Sequence, residues 1–199
     1  ILKEGVNLAK TDEKIGYISG KVYDITERNR FQIAGGRLSS RINRGAGEID
    51  TGQYEKVEDF EYMDDVFALV NVKMISEVGY YDEDFFFDYE ETEWNYRIRK
   101  HGYRIVYNPK MKVWHRLHGS TKGDRYVPHI EFYTWRGKIL FNYKVENSWN
   151  FLFFSLSLFF KNLPIHYGVL VKRSKSSLIA TNFLGILSAY KRIIELKSN

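Results

Sequence analysis

The chain contains no cysteine. That absence excludes disulfide scaffolds, zinc ribbons, iron–sulfur clusters and thiol catalysis. Three prolines in 199 residues leave no Pro-rich linker. No apolar run reaches the ~20 residues that a membrane-spanning helix needs. The longest, WNFLFFSLSLFF from Trp149 to Phe160, is closed by Lys161 and Asn162. The glycine-rich stretch 34–53 has no G-x-G-x-x-G after a strand, and the chain has no Gly-Lys-Ser/Thr and no serine on a nucleophile elbow. Dinucleotide-binding, P-loop and α/β-hydrolase chemistry are therefore not expected. The first residue is Ile1, and nothing after it resembles a signal peptide.

What is present is globular in composition: 44% hydrophobic, 28% charged, and 17% aromatic, which is high. The length suits one domain plus an appendage. The net charge of +5 is unevenly spread. Between Glu48 and Glu93 there are 16 acids against Lys56 and Lys73 alone. A phosphate-backbone binder would not carry such a block in its centre, so no nucleic-acid partner is expected. From Lys161 to Asn199 the balance reverses, with seven lysines and arginines against Glu195. A basic, apolar tail suits an anionic membrane surface.

The pattern along the chain predicts a mixed α/β fold. Residues 2–10 read as the end of a helix and Ile15 to Tyr23 as a strand. Residues 34–53 read as a long loop, and VFALVNV from Val66 to Val72 as a buried strand. Glu90 to His101 reads as a helix stopped by Gly102. Strands over 103–107 and 111–115 are expected to flank a turn at Asn108-Pro109. Beyond residue 126 the spacing of Phe132, Trp135, Ile139, Leu140 and Tyr143 is helical. Pro164 is expected to kink the tail, and apolar positions from Leu178 to Ile194 mark a second amphipathic helix. The division is thus 1–125 and a helical, basic tail at 126–199. The tail has two readings: it lies in the membrane interface, or it is a subdomain packed on the catalytic core or on a second copy.

The densest chemistry lies in GYYDEDFFFDYEETEWNYRIR, Gly79 to Arg99. On a helix Glu90, Glu93 and Trp94 share one side, and Glu91 points about 100° away. A carboxylate at a helix head can act as a general base: the helix dipole favours its ionised form, whereas burial and acidic neighbours favour the protonated one. Acids in a first helical turn also serve simply as dipole complements. Asp82-Glu83-Asp84 spells Asp-x-Asp, but a turn or helix start before Phe85 explains it as well. Asp64-Asp65 carries no more than edge polarity. His115 ends a short strand, and a neutral imidazole there can complete a divalent-metal shell or be a structural histidine. His118 lies three residues on, and Gly119-Ser120-Thr121 offers hydroxyls to a phosphate.

In order, IGYISGKVYD, RGAGEIDTGQY, EVGYYDEDFF, YEETEW, HGYRIVYNP and VWH resemble the second half of a family 2 glycosyltransferase of the GT-A type, bacterial rhamnosyltransferase-like. The resemblance covers about residues 1–145, and the tail loosely. It implies an incomplete GT-A fold, whose nucleotide-binding half, with the metal-binding Asp-x-Asp, would precede Ile1. It implies inverting transfer from a nucleoside-diphosphate sugar to a glycan or lipid-linked acceptor in cell-surface polysaccharide synthesis. The family's Glu-Asp pair matches Glu90-Glu91, so Glu91 would be the catalytic base, one methylene longer than the usual Asp. Glu90 and Glu93 would be supporting acids, and Trp94, Asp84 and Phe86 would meet the acceptor. His115 would ligate Mg²⁺ or Mn²⁺, and Ser120 and Thr121 would face phosphate. The implied location is cytoplasmic, peripheral on the inner face of the membrane, with a homo-oligomer possible. The alternative from another class is a non-catalytic carbohydrate-binding or scaffold remnant.

Overall fold

The computed structural model describes residues 1–198 apart from 39–41, 117, 118, 120–122 and 125. The chain forms two compact units. One comprises Ile1–Asp82 and Glu91–Gly119, the other Glu83–Glu90 and Ser120–Asn199.

The first unit is mixed α/β, built on a mixed sheet. Its central strand β1 (Ile15–Asp24) is buried along nearly its whole length, so it has no polar alternation. β1 runs antiparallel to β2 (Phe31–Ile33) and to β6 (Leu69–Val70), and parallel to β7 (Arg104–His115). β5 (Glu58–Phe60) closes the other side of β7, antiparallel. The strand order is therefore β2-β1-β7-β5, with β6 also on β1. α1 (Leu2–Ala9) packs on β1 and β7. Tyr17, Met74, Trp94, Ile98 and Tyr107 are central to the largest core cluster.

Three local expectations are corrected here. The run 66–72 is not a strand throughout. Only Leu69–Val70 pairs, and Asn71 then caps α2 (Val72–Val78), its side chain accepting from the Lys73 N–H at 2.9 Å. The apolar run hid this helix start. Residues 104–115 are one strand rather than two around a turn. The register moves from Ser19↔Tyr107 to Lys21↔Lys112, so Asn108 to Met111 bulge opposite Gly20. A Cβ on Gly20 would lie 2.1 Å from the Met111 carbonyl oxygen and 2.6 Å from that of Asn108, which only glycine allows. The stretch 34–53 is more ordered than a loop: β3 (Gly36–Arg37) and β4 (Ile42–Asn43) pair antiparallel. Its far end is pinned by Lys21, fully buried, whose ammonium lies 3.1 Å from Asp50 and also bonds Glu55 and the Gln53 carbonyl. The Tyr23 hydroxyl donates to Asp50 as well. Burial alone would raise the Asp50 pKa, but bonds from Tyr23, the Gly52 N–H and Lys21 hold it below the ordinary carboxylate value.

The second unit is helical: α4 (Pro128–Val145), α5 (Ser148–Ser157), α6 (Leu163–Lys172) and α7 (Leu178–Ser198). A π-helical turn, Leu158–Asn162, joins α5 to α6. It sits immediately before Pro164, whose ring would clash with the carbonyl four residues back in a regular α-helix. The wider turn absorbs the proline with the helix unbroken. α4 and α7 cross closely at Gly185, where a Cβ would meet the Phe132 carbonyl oxygen at 2.3 Å. Trp135, Ile139, Leu140, Ile186 and Ile193 fill this core, together with Phe85 from the acidic segment.

Candidate functional site

α3 (Glu90–Lys100) carries the tandem glutamates at its head. Two residues before Glu90 and Glu91 take left-handed backbone: Asp88 at φ 62° and Tyr89 at φ 74°. Neither is glycine, and such positions cost on the order of 1–3 kcal/mol each. Contacts in the helical unit hold them. The Thr134 hydroxyl donates to Asp88, and Tyr89 lies on Gly137 and beside Phe141.

Glu91 is half-buried. Its carboxylate accepts from the Tyr62 hydroxyl at 3.1 Å and from the Thr92 hydroxyl at 3.3 Å. The buried side chain of Asn95 fixes this first turn. Its amide donates to the Glu91 carbonyl at 2.6 Å, and its oxygen accepts from the Met63 N–H at 3.1 Å. Asn95 thereby ties the helix head to the segment that presents Tyr62. Nearby, the Tyr17 hydroxyl donates to the Asp64 carbonyl, and Tyr81 donates to the Asp65 carboxylate at 3.2 Å. Burial, then the charges of Asp65, Asp64 and Glu91, hold the Tyr17 hydroxyl protonated far above its ordinary range. The arrangement is a carboxylate oriented by two hydroxyl donors. Sequence reasoning missed Tyr62 and Asn95: nothing local marks a tyrosine 29 residues upstream, and a mid-helix asparagine has no motif of its own.

Glu93 and Trp94 face the other way. Both Glu93 oxygens accept from Arg97 Nε, at 2.7 and 2.8 Å, and Arg97 donates on to the Val78 and Tyr80 carbonyls. Trp94 is buried, donates to the Gly79 carbonyl at 2.9 Å, and has Tyr17 and Tyr81 against its ring. These residues lock the chain after α2, and Trp94 is a core residue rather than an open stacking platform. Glu90 is half-buried.

Asp84 and Phe86 belong to the helical unit. Lys144 and Arg192 each lie 2.6 Å from Asp84, one on either oxygen, and Arg136 donates to its carbonyl. The carboxylate that the resemblance assigned to an acceptor is thus engaged in an internal ion cluster. Phe86 is exposed and packs beside Tyr133.

His115 ends β7, half-buried. Its Nδ1 lies 2.8 Å from Gln32 Oε1, while Gln32 Nε2 donates to the His115 carbonyl at 2.7 Å. An oxygen at Nδ1 requires the proton there, which leaves the Nε2 lone pair for a metal or a proton. Gln32 was not legible in the sequence, since it lies 83 residues away. Ser120, Thr121 and His118 lie outside the described residues. Among the described residues no three His, Asp or Glu side chains are placed to hold a metal ion. The fit to a divalent cation therefore rests on one imidazole of the right tautomer.

Comparison with protein-family models gives no match, and comparison with curated proteins gives none.

Proposed function

We propose that the chain is the acceptor-side portion of an inverting GT-A glycosyltransferase. The observation that carries this reading is the Glu91 carboxylate: half-buried at a helix head, held by Tyr62 and Thr92, and set in the YEETEW motif. A general base needs this restraint, because the accepting oxygen must meet a hydroxyl at hydrogen-bond distance in one orientation.

Glu91 takes the proton of an acceptor-sugar hydroxyl as that oxygen bonds to the anomeric carbon of a nucleoside-diphosphate sugar. The bond from that carbon to the diphosphate breaks, and the nucleoside diphosphate leaves with the electron pair. In-line displacement inverts the configuration. Tyr62 and Thr92 keep the carboxylate aimed, and Asn95 holds the turn that carries it. A bound Mg²⁺ or Mn²⁺ would supply neutralisation of the charge growing on the leaving diphosphate, with His115 Nε2 as the ligand this chain offers. The acceptor is a glycan or a lipid-linked sugar.

The test is nucleoside-diphosphate release by the full-length protein. Glu91→Gln is expected to lower kcat by about 10²-fold or more with little change in donor KM. Retention of most activity would overturn the assignment. Carbohydrate binding without turnover in the unaltered protein would favour the scaffold remnant instead.

A further inference from the structure

We infer that the outer face of α5 docks on an anionic lipid bilayer. This does not depend on the catalytic reading. α5 is apolar on both of its faces. Phe151, Phe154 and Leu158 pack into the core of the helical unit. Trp149, Leu152, Phe153 and Leu156 recur at the i, i+3, i+4, i+7 spacing of a single helical face, which continues at Phe160. All five are exposed: Trp149 at 72%, Phe153 at 64% and Phe160 at 80%. A helix that packs on its own core ordinarily turns polar residues outward. Alongside this face lies a cavity of about 810 Å³, walled by Phe151, Leu152, Leu156, Phe159 and Tyr190, with Lys197 beside them. The bare apolar surface is therefore continuous, and it is rich in the aromatic residues that settle at a membrane–water interface.

Charge selects the occupant. Between Glu146 and Glu195 there is not one carboxylate, against six lysines and arginines. Lys175 and Arg192 are held by Asp124 and by Asp84 with Glu195. Lys161, Lys172 and Lys191 have no ion-pair partner among the described residues. Lys161 comes directly after Phe160, so a cation flanks the apolar face at its C-terminal end. Apolar aromatic area ending at Lys161, on a segment without carboxylates, matches acyl chains beneath anionic headgroups. No helix among the described residues is long and apolar enough to cross a membrane, so the contact is lateral.

The experiment is flotation of the full chain with vesicles of phosphatidylcholine alone or mixed with phosphatidylglycerol, then quenching of tryptophan fluorescence by brominated phosphatidylcholine. Binding to the anionic vesicles is expected to be at least about tenfold tighter and to weaken with salt. Trp149→Phe should remove most of the quenching. Phe153→Ser with Phe160→Ser should cut binding about tenfold or more with an unchanged circular dichroism spectrum, because both side chains are exposed. Absence of flotation would overturn the proposal. So would flotation that the serine pair leaves intact, or a stable dimer in light scattering that shields Trp149 from brominated lipid.

Discussion

Glu91 and Glu93 are two residues apart and about 200° apart around α3, and that rotation separates their roles. Glu93 is spent on Arg97, which braces the chain after α2. Glu91 accepts instead from the Tyr62 and Thr92 hydroxyls. On the proposed catalytic reading, Tyr62→Phe should leave the fold unchanged and lower kcat by about three- to tenfold, the worth of one ordinary hydrogen bond. An unchanged kcat would reduce Tyr62 to packing. The same contrast between engaged and exposed carboxylates applies around Lys21. Asp50 is mostly buried, and Glu55 is half exposed. Asp50→Asn should cost about 3 kcal/mol in urea unfolding, because it strips a buried ammonium of its enclosed partner. Glu55→Gln should cost less than about 1 kcal/mol.

At the level of elements, the sequence showed whichever features repeat along one face. α1, β1, α3, α4 and α7 were all expected, α4 and α7 from the helical spacing of their apolar residues, and Gly102 stops α3 in the left-handed conformation its position suggested (φ 79°). What stayed hidden depends on distant backbone. The helix start at Asn71 is masked by the apolar residues around it. The continuity of β7 through Asn108-Pro109 depends on Gly20, nearly ninety residues earlier, leaving room for two carbonyls. The candidate site follows the same rule: Glu91 and His115 are singled out by the motifs around them, whereas Tyr62, Asn95 and Gln32 become visible only once the sheet and α3 are assembled. Gly20→Ala should accordingly destabilise the first unit by about 3 kcal/mol, read as a fall in the urea midpoint. An unchanged midpoint would mean that the bulge relaxes freely.

Across the whole molecule, the chain enters the helical unit twice, first for the eight residues Glu83–Glu90 and then for good. The brief visit is anchored by charge. Burial alone would raise the Asp84 pKa, but Lys144 and Arg192 hold it below the ordinary carboxylate value. A depressed pKa contributes stability above about pH 4 that is lost as the pH falls through the lower folded value. The helical unit should thus weaken on acidification. Asp84→Asn should cost about 2 kcal/mol at neutral pH and flatten that acid dependence, as measured by thermal unfolding between about pH 7 and pH 3. An identical acid dependence in the variant would show that the cluster carries no such linkage. In the sheet, Lys21 stands as the converse case, a cation sealed by its own partners. Amine-acylating reagents cannot reach that nitrogen while residues 50–55 stay in place. Its rate of labelling by mass spectrometry would therefore time the opening of that stretch, with no probe introduced into the protein.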